Sequence, residues 1–520
     1  MPVSREIFRP SCESKPASLP SRDIDNWILF ALATALLLTN RWFTILDDEA
    51  NAIVVATAPV WHLISTFVTG RYPHAHPPLP DILLHGWLVL TGSRMWLLRV
   101  PAIACYIAGI ALMKATAGKL GGRSARTLAL WIGVLWPYGF HFGRVAGWFE
   151  FSFLSVALLT FTFIAAVDQT RVAPWVWFGL AGLLAIYSNL YAWTLLALLL
   201  VEVAIRRKRQ PWTRFATVLA ALAVSYAPVW LFLVSTTRES LSSTHGSLQT
   251  ILLSLYHLYA VLVSESVAPW FISLSLPAIL AMTVAGVVLL ACARGFGRRL
   301  LIYFVLLLVG MACANVINTK RVLMLTPWLL LGLAMATAEI EKRRVRATLL
   351  ICFAVIAAVG WVGIAARKFY VAPHFIEPWP AVAQQAAALW RSGGTVLSNS
   401  GPFFFSFAYA AGTPWTTTNW NPEANLMGPS NPRVLNPTVW RERGAPLTEH
   451  VLLVKGVDPF VPEATAWAEE QLERRCSLQS LDLAVKDSGY ALKQRLFPYG
   501  GQVLWRIEIR QYRCAATADN

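Results

Sequence analysis

Long apolar runs recur along this chain, with most of its charges confined between them, and that pattern restricts it to a helical membrane protein. The runs cover roughly residues 24–46, 96–113, 127–140, 150–167, 172–188, 190–205, 215–235, 270–292, 300–316, 322–338 and 347–366. A bilayer core requires about 17–25 apolar residues of a helix, and backbone polar groups there must be satisfied within their own segment. Composition agrees. Of 520 residues, 56% are hydrophobic and 14% charged, against about 45–50% and about 25% in soluble domains. The formal net charge of +16 does not point to a nucleic-acid partner, because Lys and Arg sit in short loops where they orient helices. The first 26 residues are polar and lack the apolar core and cleavage site of a secretory signal, so the first span is expected to be retained.

Loop charges set the expected topology. One set of alternate loops holds Arg5, Arg9, Lys15 and Arg22, then Lys114, Lys119, Arg123 and Arg126. The same set continues with Arg171, the run Arg206–Arg209, Arg294, Arg298 and Arg299, and ends on Lys342, Arg343, Arg344 and Arg346. Among the short loops the other set holds only Arg71, Arg94, Arg144, Arg238, Lys320 and Arg321, so the first is cytoplasmic. This partition requires that Leu79–Thr91, too short to span, lies at the interface or re-enters. The N-terminus is then inside. Residues 47–95 form a large outer loop with amphipathic helices, and the tail from 367 is outside.

The tail is different in kind. Thr395–Ser398 and His450–Val454 read as strands, Gln502–Tyr512 alternates like a half-buried strand, and Glu463–Arg475 reads as a helix. A small α/β domain follows from these. An outer, oxidising location makes Cys476 and Cys514 a candidate disulfide.

Polar residues suited to chemistry collect at outer span ends. Asp47, Asp48 and Glu49 open the first outer loop. Capping of a helix from Ala50 accounts for acids there. Three adjacent acids exceed what capping needs, and a partly desolvated carboxylate near another suits a general base. His76-Pro77-Pro78-Leu79 makes a rigid, non-helical lead into the short apolar segment. His74 and His76 could bind a phosphate or a metal there, or simply occupy an exposed turn. Arg144, Lys320 and Arg321 are outer basic residues at span ends. A lipid phosphate explains them, and so does snorkelling to headgroups. Glu150 is a candidate site-lining residue, as are Asp47 and His74. Walker, H-E-x-x-H and Cys-x-x-Cys motifs are absent. The spans carry almost no ionisable residues and no paired broken helices, against an ion-coupled transporter.

The order of these features resembles a known family. Asp48-Glu49-Ala50 follows the first span, then His76-Pro77-Pro78-Leu79, Leu97-Leu98-Arg99-Val100-Pro101, the basic turn Gly118–Arg123, and Lys320-Arg321 before a span containing Pro327. Glu377-Pro378-Trp379 opens the tail. Together they resemble the polyprenyl-phosphate-sugar-dependent glycosyltransferases of the GT-C fold, in the bacterial branch related to protein O-mannosyltransferases and lipid A aminoarabinose transferases. The resemblance implies an inverting displacement of the lipid phosphate by an acceptor hydroxyl. Asp48 would be the base or orient the acceptor, supported by Glu49. Arg321, with Lys320 and Arg144, would hold the donor phosphate. His76 would lie near the donor or near a divalent metal, with Glu49 as a second candidate metal ligand; no other cofactor is implied. The chain departs from the pattern where Arg144–Glu150 replaces an Arg-Pro-Asp motif, where Val322 follows Arg321, and in lacking Trp-Trp-Asp.

The expected architecture is a mainly α, polytopic GT-C-type protein of about eleven spans plus interfacial helices, with a small C-terminal α/β outer domain. Its parts are a cytoplasmic tail (1–23), a transmembrane transferase domain (24–366) and a periplasmic domain (367–520). The expected function is transfer of a sugar from a polyprenyl-phosphate donor to an envelope glycan, lipid or protein, at the periplasmic face of a bacterial inner membrane. A GT-C glycan ligase and a non-catalytic lipid or glycan transporter are the alternatives.

Overall fold

A computed structural model describes residues 20–40, 47–74, 76–92, 95–206, 209–234, 247–314, 316–317, 319–371, 379–411, 433–444, 446–456, 462–485 and 507–515. Within these, six helical segments are long and apolar enough to cross a membrane: Val100–Leu135, Phe149–Ala166, Pro211–Val234, Ile272–Cys292, Gly295–Cys313 and Arg343–Ala366. Shorter apolar helices cover Ile24–Leu38, Leu79–Thr91, Ala173–Ile186, Ala192–Ile205, Thr250–Val263 and Leu323–Ala338. The protein is a multi-pass helical bundle carrying a small C-terminal sheet domain.

The first eight helices position the region of interest. They are α1 (Pro20–Leu38), α2 (Asp47–Ala56), α3 (Val60–Val68), α4 (Leu79–Thr91), α5 (Met95–Leu98), α6 (Val100–Leu135), α7 (Pro137–Phe142) and α8 (Phe149–Ala166). Helix α6 joins two segments that the sequence suggests are separate spans. Its 36 residues amount to about 54 Å at 1.5 Å per residue, well beyond a bilayer core of about 30 Å. The excess is resolved at Gly122, whose φ of 69° and ψ of −160° break the helix, a conformation glycine adopts without a Cβ clash. Asp25 on α1 pairs with Lys114 at 3.5 Å and with Arg126, on the two sides of that break. At the opposite end of α1, Asn40 meets Arg99. The ends of α1 therefore separate a basic cluster from the region that holds the candidate residues.

The first loop is less amphipathic than its sequence implies. The helix expected from Ala50 ends at Ala56, and Pro59 separates α2 from α3. Ala52, Ile53, Val54 and Ala56 of α2 are buried against Leu84, Leu98 and Ala146, so α2 is a wedge inside the protein rather than a surface helix. Helix α3 does divide its faces, burying Leu63 and Phe67 while exposing Trp61, Ile64 and Val68.

The tail builds one mixed sheet from β1 (Thr395–Ser398), β2 (Val434–Leu435), β3 (His450–Lys455), β4 (Cys476–Val485) and β5 (Ile507–Cys514), in the order β2-β1-β3-β5-β4. Strand β1 runs parallel to β2 and β3, and β5 runs antiparallel to β3 and β4. Both faces of the central strands are covered, which is why β1 and β3 read as continuous apolar runs. Val396, Leu452 and Val454 pack under Trp379, Phe403 and Phe407, while Leu397, Val451 and Leu453 pack under Trp440, Ala468 and Leu472. The helix Gly401–Ala411 of this domain touches α2. Strand β4 was not expected from the sequence, and Ile507–Tyr512 of the expected strand form part of β5; its residues 502–506, like Glu377 and Pro378, lie outside the described residues.

Cys476 and Cys514 face each other across β4 and β5 and form a disulfide. The bridge closes a separation of 38 residues, which in the chain-entropy model stabilises the folded state by roughly 4 kcal/mol. Replacing both cysteines with serine is expected to lower the unfolding temperature of the sheet domain in the full-length protein. An unchanged thermal transition, followed with and without reductant, would mean that strand pairing alone carries the edge.

Candidate active site

A buried clamp underlies the acidic motif. Glu49 is fully buried and Arg99 is 4% exposed. Arg99 Nε and Nη2 donate to Glu49 Oε1 and Oε2 at 2.6 and 2.7 Å, a bidentate pair, and Arg99 Nη1 reaches Asn40 O and Oδ1 at 3.0 and 3.1 Å. The Ala146 amide adds a bond to Glu49 Oε1 at 2.9 Å. One carboxylate thus ties the end of α1, the first turn of α2, the start of α6 and the loop before α8. Asp47 and Asp48 sit in the same first turn of α2; their side chains lie outside the described residues. Both Glu49 oxygens, offered by the sequence as metal ligands, here accept from Arg99, and Oε1 also accepts from the Ala146 amide.

Arg144 departs from its expected role in the same way. It is fully buried, its guanidinium lies 4.4 Å over the Phe140 ring, and it donates to Phe140 O, Leu36 O and Thr39 Oγ1. Its charge secures α7 to α1 and is not presented to a phosphate. Glu150 opens α8, fully buried, and neither carboxyl oxygen has a hydrogen-bond partner among the described residues.

The His-Pro-Pro segment forms a second cluster. Asp81, fully buried in the first turn of α4, receives the Tyr72 hydroxyl and lies 3.2 Å from His74 Nδ1 and 3.8 Å from His76 Nε2. The His76 ring stacks on Trp148 with centroids 5.0 Å apart, and its Nδ1 is 2.9 Å from Pro77 O. Burial lowers the His76 imidazole to about 4, against the pull of Asp81, so the ring is neutral at pH 7. Burial acts to raise Asp81, but the two imidazoles and the hydrogen bonds from His74 and Tyr72 outweigh it and hold the carboxyl below its usual range.

Arg321 stands near this cluster. Its charge acts on His76, it hydrogen-bonds Tyr191, and its Nη1 donates to Val316 O at 3.2 Å. The turn Thr319–Val322 that carries it is held by Thr319 Oγ1, which donates to the buried Glu265 carboxylate at 2.6 Å, while Tyr256 donates to the same carboxylate at 2.8 Å. Ser264 and Glu265 both have positive φ, 81° and 54°, a conformation that costs a non-glycine residue of order 1 kcal/mol or more. Lys320 lies in the same turn, with its side chain outside the described residues. His74 and His76 thus share one cluster with Asp81, and the charge of Arg321 reaches His76.

Asp81, Tyr72 and Trp148 were missed by sequence reasoning, and Arg99 was noted only within a motif. The one available signal for Asp81 was an acid in the first turn of an otherwise apolar helix, which reads equally well as a favourable charge at a helix N-terminus.

No family model matches the sequence, and no curated protein matches it. Among solved structures, ArnT from Cupriavidus metallidurans bound to undecaprenyl phosphate superposes with a TM-score of 0.54 at 13% identity, covering 95% of this chain and 98% of that one. The chain has the GT-C fold. ArnT from the same organism in the apo state gives 0.51 at 14% identity over 94% of this chain and 98% of that one. With so much of the chain matched, the GT-C likeness takes in the sheet domain as well as the helices.

Proposed function

We propose that the protein is a GT-C glycosyltransferase that moves a sugar from a polyprenyl-phosphate donor to a hydroxyl of an envelope glycan, lipid or protein. The observation that carries this reading is the whole-chain likeness to a protein solved with undecaprenyl phosphate. The site geometry is consistent with it. Asp48 would take or orient the acceptor proton, held in place by the Glu49–Arg99 clamp next to it in α2. Arg321, with Lys320 beside it, would bind the donor phosphate and stabilise the charge that grows on it as the glycosidic bond breaks. The lipid phosphate leaves directly, so a single displacement inverts the anomeric centre.

Loop charges support a cytoplasmic N-terminus and an outward-facing site. The Cys476–Cys514 disulfide supports an oxidising compartment for the tail, in line with the periplasmic face of a bacterial inner membrane. Arg321→Gln in nanodisc-embedded protein is expected to weaken undecaprenyl phosphate binding by about 10–100-fold, the loss of one charge-assisted bidentate contact of about 1.5–3 kcal/mol. Native mass spectrometry of wild type and variant reads this directly, and equal retention of the lipid phosphate would remove Arg321 from the donor site. Mass spectrometry of envelope glycans from a deletion strain, with and without the wild-type chain restored, tests the transfer itself.

A further inference from the structure

We propose that His74, His76 and Asp81 bind one divalent transition-metal ion of the zinc class. One ligand atom from each residue lies within 4.8 Å of the others. The two nitrogen-to-carboxylate separations, 3.2 Å from His74 Nδ1 and 3.8 Å from His76 Nε2, bracket the edge of about 3.4 Å that a tetrahedron has when its metal–ligand bonds are about 2.1 Å. Few side-chain adjustments are needed to place an ion among them.

Three features go beyond proximity. His76 Nδ1 faces its own chain at Pro77 O, which places the ring proton there and leaves the Nε2 lone pair directed toward Asp81. Metal-ligating histidines are oriented by a second hydrogen bond of this kind. Asp81 is fully buried, yet its Oδ1 has no hydrogen-bond partner among the described residues, and a buried carboxylate oxygen without a partner is costly. The Trp148 ring and the Pro77-Pro78 pair restrain His76, so little ordering remains to be done when an ion binds.

The donor set selects the ion. Two imidazoles and one carboxylate match zinc and its neighbours, whereas calcium and magnesium prefer shells built of oxygen. Three protein ligands leave a fourth position open. With the Arg321 charge acting on His76, ion and guanidinium together make an anion subsite. That use of the ion, unlike its binding, rests on the function proposed above.

The test uses the tag-free full-length chain in nanodiscs, stripped with a chelator and titrated with zinc chloride by calorimetry, with bound zinc counted by mass spectrometry. One ion per chain is expected, with two imidazoles in its X-ray absorption spectrum. His76→Gln is expected to weaken binding by at least about a hundredfold, since even outer-shell partners are worth about 10–100-fold. Asp81→Asn could fail to fold, so His74→Gln, at the most exposed ligand, serves as the second variant and should show a comparable loss. Failure of the wild type to bind zinc stoichiometrically, or unchanged affinity in both histidine variants, would reduce the cluster to a hydrogen-bonded array. Stoichiometric zinc that leaves undecaprenyl phosphate affinity unaltered would keep the site and remove only its use as an anion subsite.

Discussion

Asp48→Asn is expected to slow sugar transfer by about 10²–10⁴-fold, the range over which a positioned general base contributes, with donor binding retained. The amide keeps the size and shape of the side chain but cannot accept the acceptor's proton. Asp47→Asn is the matched control. It lies one residue earlier in the same turn of α2, and loss of a charge there should cost no more than about 1 kcal/mol of helix stability. Envelope glycans read by mass spectrometry, in a strain relying on each variant, separate the two. Wild-type glycosylation with Asp48→Asn, at equal expression and membrane insertion, would reject Asp48 as the base. A loss in both variants alike would assign the pair to holding the helix end.

The second large effect falls on Arg99. Arg99→Ala leaves the fully buried Glu49 carboxylate with only the Ala146 amide among the partners described above, and breaking a buried pair by removing one member costs about 3–5 kcal/mol. We expect a lower unfolding temperature and a loss of transfer, because the first turn of α2 is anchored through this pair. Glu49→Gln should be milder, since an amide oxygen can still accept from Arg99 and Ala146. The double variant Glu49→Gln, Arg99→Met should recover part of the stability that Arg99→Ala loses, as replacing both charges with uncharged side chains removes the unpaired one. If Arg99→Ala unfolds at the wild-type temperature in detergent, the clamp is not what holds α2 in place.

Arg99 shows how far local reading reaches. Its position in Leu97-Leu98-Arg99-Val100-Pro101 is visible as a pattern, but its partner is fifty residues away, and no periodicity connects them. Asp48-Glu49 and His76-Pro77-Pro78 were legible because each is compact and follows a break in apolar character. Arg144 was legible as a basic residue at a span end, but not as a buried one. Helix α7 is only six residues long, and it turns the guanidinium back onto Phe140 O and the end of α1, where its charge is spent on carbonyl groups. A loop position in sequence does not say which way a long side chain reaches. In the tail, β1 and β3 were readable as buried apolar runs. Strand β4 was missed because it is an edge strand with Leu478, Leu481 and Leu483 exposed, so burial does not impose the expected alternation.

By itself the sequence determined that this chain crosses a membrane as helices, and that two short polar motifs follow the first apolar run. Those follow from transfer free energies and charge placement, which act on each segment separately. Tertiary structure alone decided which polar groups meet: Glu49 with Arg99, Arg144 with the carbonyls of Phe140 and Leu36, and His74 and His76 with Asp81. A buried charge is tolerable only beside a partner; for Glu49 that partner comes from a helix fifty residues on, and for Asp81 from the turn that leads into its own helix.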